Sequence, residues 1–180
     1  MKKQAIQQAI DQALAQGKSK QAIYNELQAS AANPGQLAYL LAATATPARR
    51  QQHQVKNHTL IAVMMGFSLL SLGVGYQSGQ LLGGQSSVWM ALFSALVPAA
   101  FAAGFSRWMA AAFNVYILYA LIQIPQLVSQ LPSGGWAVVQ GAMTLLTLLL
   151  TWHVRSLAFP DFNPMAMPRR DAQGQFVFRD

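Results

Sequence analysis

The chain contains no cysteine, and only five of its residues are acidic. The first absence excludes disulfides and thiolate metal sites. The second reaches further, because Asp11, Glu26, Asp161, Asp171 and Asp180 all fall outside the long apolar runs. Proton-coupled transporters generally need an ionisable group within the membrane. A four-span antiporter of the small multidrug type, which depends on a membrane glutamate, is therefore disfavoured. No phosphate loop, nucleophile elbow or paired carboxylate occurs either, so the expectation is a non-enzyme without a cofactor. Charged residues make up 9% of the chain, where ordinary globular proteins carry about 25%.

What replaces charge is hydrophobicity. The stretch Thr59 to Tyr76 (TLIAVMMGFSLLSLGVGY) runs eighteen residues without a charge, enough as a helix to cross the roughly 30 Å hydrocarbon core of a bilayer. Val88 to Leu131 then runs 44 residues with Arg107 as its single charge. One helix of that length is about twice the bilayer thickness, so the run must fold back, and Arg107 marks the turn. Four spans are expected, at about 59–76, 88–105, 108–124 and 136–152, giving an all-α polytopic membrane protein. The N-terminal residues have no apolar core or cleavage site of a signal peptide, so the first span is expected to remain as its own insertion signal.

The net charge of +7 is a topology signal. Of twelve lysines and arginines, seven precede the first span, one sits between the second and third, and four follow the fourth. The uncharged loops around 77–87 and 131–135 carry none. The positive-inside rule then places both termini and the Arg107 turn on the cytoplasmic side of a bacterial inner membrane.

Residues 1–46 read as a three-helix cytosolic mini-domain. Ile6, Ile10 and Leu14 lie on one helical face, with Gly17 as its cap. Ser19 caps a second helix carrying Ile23, Tyr24 and Leu27, and Asn33-Pro34 opens a third carrying Leu37, Leu40 and Leu41. So small a unit needs support from the membrane domain, from copies of itself or from a cytosolic protein partner. Residues 47–56 form a basic juxtamembrane linker. Residues 156–180 read as an extended cytosolic tail, with a turn at Asp171–Gly174 before the strand-like run Gln175–Phe178 that either pairs with something or stays mobile. The order Ile23-Tyr24, Leu27, Leu37-Ala38, Pro47, a basic linker and Asn57 before an apolar span is similar to small bacterial membrane proteins with a cytosolic helical head. The pattern Gly17-Lys18-Ser19-Lys20 is also weighed as a helix-turn-helix entry, but the basic face is short and nucleic acid is disfavoured.

Within the spans the chemistry is small or neutral. Ser68, Ser71, Gly75 and Gly79 align on the first span and Ala91, Ala95, Ala99 and Ala103 on the second, which reads as helix packing. Two such faces are expected to exceed the needs of one four-helix packing, so a homo-oligomer joined through the Ser71, Gly75 and Gly79 face is expected. Asn114 and Gln123 of the third span, with Gln140, Thr144, Thr147 and Thr151 of the fourth, form an alternative polar path for an uncharged solute. Arg49, Arg50, Lys56, Arg107 and Arg155 are placed at lipid headgroups. Pro98 is expected to kink the second span. His58 and His153 fall at cytoplasmic span ends and read as interfacial anchors rather than a metal site. The function expected is interaction, as a scaffold, sensor or regulatory subunit, with a small channel or transporter subunit as the alternative.

Overall fold

The computed structural model describes residues 3–29, 31, 33–81, 86–130 and 134–179. Among these every named element is an α-helix: α1 Lys3–Ala15, α2 Lys20–Leu27, α3 Pro34–Ala43, α4 Pro47–Gln52, α5 Gln54–Gln80, α6 Ser86–Ser106, α7 Ala110–Gln130 and α8 Gly135–Ala158. The chain divides into two compact units, one of Met1–Gln51 with Ser156–Asp180 and one of Gln52–Arg155.

In the first unit, local sequence sets each helix end. Gly17 adopts φ +78° after α1, and its neighbour Lys18 bonds back to the Ala13 carbonyl at 3.1 Å. A Cβ would strain that left-handed position, so glycine suits it. Ser19 Oγ accepts from the Ala22 amide, and Asn33 Oδ1 accepts from Gly35 and Gln36, with Pro34 at a first-turn position where its missing N–H costs nothing. The helices bury Ile6, Ile10, Ile23, Leu37 and Leu41 against one another. Pro47 likewise opens α4, whose last turn carries Arg49 and Arg50, where cations meet the negative end of the dipole; with α5 starting at Gln54, the basic linker is helical on both sides of His53.

The C-terminal segment belongs to this unit and completes its core. Phe159, Phe162 and Phe178 are buried. Phe178 lies 5.5 Å ring to ring from Tyr24 of α2, and Phe162 lies 5.4 Å from Tyr39 of α3. The Asp171–Gly174 turn closes through Gly174 N–H to Asp171 O at 3.1 Å, and an isolated bridge pairs Arg170 with Phe176. The strand-like run thus finds its partners on α2 and within its own hairpin; Phe178 N–H donates to Gln21 Oε1 at 3.2 Å.

At the centre of this packing Lys20 Nζ donates to Asp161 Oδ2 at 2.7 Å, with both side chains fully buried. The second Asp161 oxygen accepts the Arg179 amide at 2.7 Å. Arg49 adds two bonds to the same segment, to the carbonyls of Leu157 at 3.3 Å and Arg179 at 2.9 Å. Lys20 is therefore withdrawn from any nucleic-acid surface, and Lys18 pairs with Glu26 at 2.7 Å. Of the basic entry that resembled a helix-turn-helix, neither lysine stands alone.

The second unit holds the apolar helices. Three of them, α5, α6 and α7, with 27, 21 and 21 residues, are long and apolar enough to cross a membrane. Leu69, Phe93 and Ile122 are each more than 60% exposed. An outward apolar surface of that kind marks a helical membrane protein. α5, α6 and α8 run past the expected spans at both ends, and α7 starts two residues later than expected and continues to Gln130. α5 continues through Lys56 and His58 below and through Gln80 above, because polar side chains outside the hydrocarbon do not interrupt helical backbone bonds. Pro125 stays inside α7.

Between α6 and α7 the chain turns over Arg107, Trp108 and Met109. Trp108 takes φ +53°, with its amide bonded to Phe105 O at 3.0 Å and that of Met109 to Gly104 O at 3.1 Å. This is a Schellman closure with a tryptophan where glycine is usual. Parts of the two uncharged loops, 82–85 and 131–133, lie outside the described residues.

Candidate functional site

The most extensive helix pairing is between α5 and α6, and glycine makes it. A Cβ on Gly75 would stand 2.5 Å from Met90 O and 2.7 Å from Ala91 Cα. On Gly79 it would stand 2.3 Å from Ser87 Cα. Ser68 Oγ donates to Ala95 O across the same seam at 2.8 Å, and at its lower end Asn57 Nδ2 donates to Phe105 O at 3.0 Å.

The small faces of α5 and α6 meet within this chain. The groove over Gly75 and Gly79 is filled by α6 of the same chain, whereas Ser71 lines the cavity described below. The alanine row also shifts. Ala91 and Ala95 are buried, Ala99 is half-buried and Ala103 is exposed, while Pro98, Ala102 and Phe105 complete the seam. A strict four-residue step overruns the 3.6-residue turn by about 40° each time, so the true contact must alternate steps of four and three.

Residues of α5, α6, α7 and α8 together line a cavity of about 230 Å³. Its polar lining comes from all four: Ser71 on α5, Ser94 on α6, Gln123 on α7, and Gln140 and Thr144 on α8. Phe67, Phe101, Tyr116 and Tyr119 supply aromatic walls, and no charged residue lines it. Pro98 borders the cavity too. Having no N–H, it leaves the carbonyl of Ser94, four residues earlier, without its helical donor.

Toward the α6–α7 turn the cavity is closed by side chains. Phe101 packs on Tyr116 at 5.0 Å and Phe105 on Phe113 at 4.5 Å, and the Tyr116 hydroxyl bonds Thr147 Oγ1. Thr147 Oγ1 itself lies at hydrogen-bond distance from the carbonyls of Met143 and Thr144. With its proton used there, Thr147 is the acceptor and Tyr116 the donor.

The polar path expected from sequence is thus divided. Gln123, Gln140 and Thr144 meet at the cavity. Thr147 sits in the Tyr116 contact, and Thr151 and Asn114 lie toward the α6–α7 turn, outside the cavity lining. There Arg155, only 4% exposed, donates from Nε to Asn114 Oδ1 at 2.9 Å and lies over the Trp152 ring at 5.7 Å. Arg155 was expected at headgroups; it is instead withdrawn into the helix contact. Arg49 bonds carbonyls of the C-terminal segment, and Arg50 bonds Ala45 O at 3.1 Å. Lys56 and Arg107 are exposed, and Lys56 Nζ approaches His153 Nε2 at 3.4 Å.

Sequence reasoning missed Asn57, the aromatic layer and Gly104, whose added Cβ would meet Ala112 Cβ at 2.5 Å. Gly104 falls one turn before a hairpin that Arg107 had already located, and that was the available signal. The chain matches no known protein-family model, no curated protein and no solved structure.

Proposed function

We propose that this chain is a four-span protein of a bacterial inner membrane, with both termini cytoplasmic, that acts through interactions as a scaffold, sensor or regulatory subunit. One observation carries the threading. Lys20 and Asp161 share a buried ion pair in a compact unit built from both ends of the chain. Ends that pack together lie on one side of a membrane, which requires an even number of crossings. Three helices qualify as spans by length and composition, so α8, with 24 residues, is the fourth. The distribution of lysine and arginine makes that side cytoplasmic.

The same unit supports the interaction reading. Lys20, Asp161 and Arg49 are bonded inside its own fold, and the spans offer no carboxylate for proton-coupled work. Membrane lipids surround the spans, and a cytosolic protein or a second copy is the partner. A copy must use surfaces other than the Gly75 and Gly79 groove. Reporter fusions test the threading: a periplasm-dependent reporter is expected to be active at Gly84 and Gly134 and silent at Arg107 and at the C-terminus. Site-specific photocrosslinking from exposed Glu26 and Gln28 in intact cells tests the rest, with a discrete adduct expected. Its absence across the unit's surface argues against an interaction role.

The second reading is a channel or transporter subunit for an uncharged solute, favoured by the neutral polar groups at the cavity. Buried Asn114 Nδ2 and Thr151 Oγ1, which have no hydrogen-bond partner, extend that polarity past the aromatic layer. Solute flux in liposomes above that of empty vesicles would place this reading first.

A further inference from the structure

We propose that the cavity among α5, α6, α7 and α8 is a binding site for an uncharged lipophile that presents a hydrogen-bond-donating hydroxyl. Size, charge and proton inventory each narrow the ligand. An apolar cavity of about 150 Å³ accommodates benzene. On that scale the 230 Å³ here accepts about ten heavy atoms, a substituted ring rather than an ion or a whole lipid.

Charge is excluded by the lining. No acidic or basic side chain faces the space, and a desolvated ion at membrane depth needs a counter-charge. Aromatic walls on three helices suit a flat apolar body instead.

The proton inventory sets the polarity of the head. Ser71 Oγ donates to Phe67 O at 2.9 Å and Thr144 Oγ1 donates to Gln140 O at 2.9 Å, so both hydroxyl protons are committed to their own helices. The Tyr116 proton is committed to Thr147. Each of these oxygens keeps lone pairs. Pro98 adds the Ser94 carbonyl, which has no helical donor. Ser94, Tyr119, Gln123 and Gln140 can each donate as well as accept; with the oxygens of Ser71, Tyr116 and Thr144 and the Ser94 carbonyl acting as acceptors alone, acceptors remain in excess. A ligand that donates a hydrogen bond satisfies that excess; one that only accepts does not. The inference needs binding alone, so a chain that carries no flux leaves it standing.

The test uses the full-length protein in lipid nanodiscs and two probes, 4-propylphenol and its methyl ether 4-propylanisole, read by saturation-transfer nuclear magnetic resonance. Saturable binding of the phenol is expected, with a Kd about tenfold below that of the ether, the ratio that one hydrogen bond of about 1.4 kcal/mol provides. Thr144→Val keeps the side-chain shape and removes an acceptor, and should bring the phenol close to the ether while leaving the ether unchanged. Gln123→Met removes an amide that both accepts and donates, so it should weaken the phenol more than the ether, and it serves where the threonine variant does not fold. Val97→Trp fills the space and should abolish saturable binding of both. Equal affinity for phenol and ether, uptake that never saturates, or full binding by a folded Val97→Trp protein would each overturn the proposal. So would tighter binding of a lipophilic cation.

Discussion

Lys20 and Asp161 stand 141 residues apart in the chain and 2.7 Å apart in space, both fully buried. Burial of two charges is costly, and the cost is offset only when each is well paired. Asp161 meets that condition with a second bond from the Arg179 amide. Removing one partner strands the other. Lys20→Met or Asp161→Leu alone should destabilise the unit by about 3–5 kcal/mol, while the double replacement should recover most of that loss. Limited proteolysis of the C-terminal segment, slow in the parent and the double variant and fast in each single one, reads the difference.

The glycines of α5 divide into two kinds, and the division can be measured. Gly75→Ala and Gly79→Ala place a carbon within 2.7 Å of α6 backbone, whereas Gly66 and Gly73 have nothing within 4 Å of an added Cβ. The first two should lower the melting temperature in detergent. The second two should be neutral or stabilising by up to about 1 kcal/mol, since alanine favours the helix. Gly75→Leu with Gly79→Leu should lose detergent-stable folding rather than merely an oligomer signal in native mass spectrometry.

The Tyr116–Thr147 bond joins α7 to α8 at the floor of the cavity. Tyr116→Phe removes the donor but leaves Thr147 bonded to its own helix, at a cost of about 1 kcal/mol. Thr147→Val leaves the buried phenol without its acceptor and should cost more, about 1–3 kcal/mol. Chemical denaturation in mixed micelles compares the two, and equal effects would show that the bond does not hold the floor.

Ser68 and Asn57 tie α5 to carbonyls of α6 at two heights. Ser68→Ala loses one bond and is expected to cost about 0.5–1.5 kcal/mol, because Ala95 O keeps its place in the α6 ladder. Asn57→Leu also removes the buried, unpartnered Oδ1, so its net effect should be smaller than that of Asn57→Asp, which buries a charge there. Thermal unfolding of the three variants gives the order.

Membrane spans are legible because hydropathy is a local property: a window of apolar residues inserts whatever it later touches. Capping is local in the same sense, which is why Gly17, Ser19 and Asn33 could be read directly. Gln123, Gln140 and Thr144 were recognisable as members of one polar path, yet nothing in the spacing said that Asn114, Thr147 and Thr151 would fall outside the cavity that those three line. Register between helices is fixed by side-chain volumes on both partners, and a single strand of text does not pair them. Phe101, Phe105 and Phe113 looked like ordinary apolar span residues, so the layer that closes the cavity left no signature.

The sequence by itself determined the apolar helices, the turn at Arg107, the helix caps and the sign pattern of the loops, since each depends on a few neighbouring residues. Tertiary structure alone decided that α6 fills the Gly75–Gly79 groove, that Arg155 turns to Asn114, and that the C-terminal segment closes on Tyr24 and Lys20. Those outcomes rest on contacts between distant segments, where the winner is whichever surface offers the best fit and the paired charge.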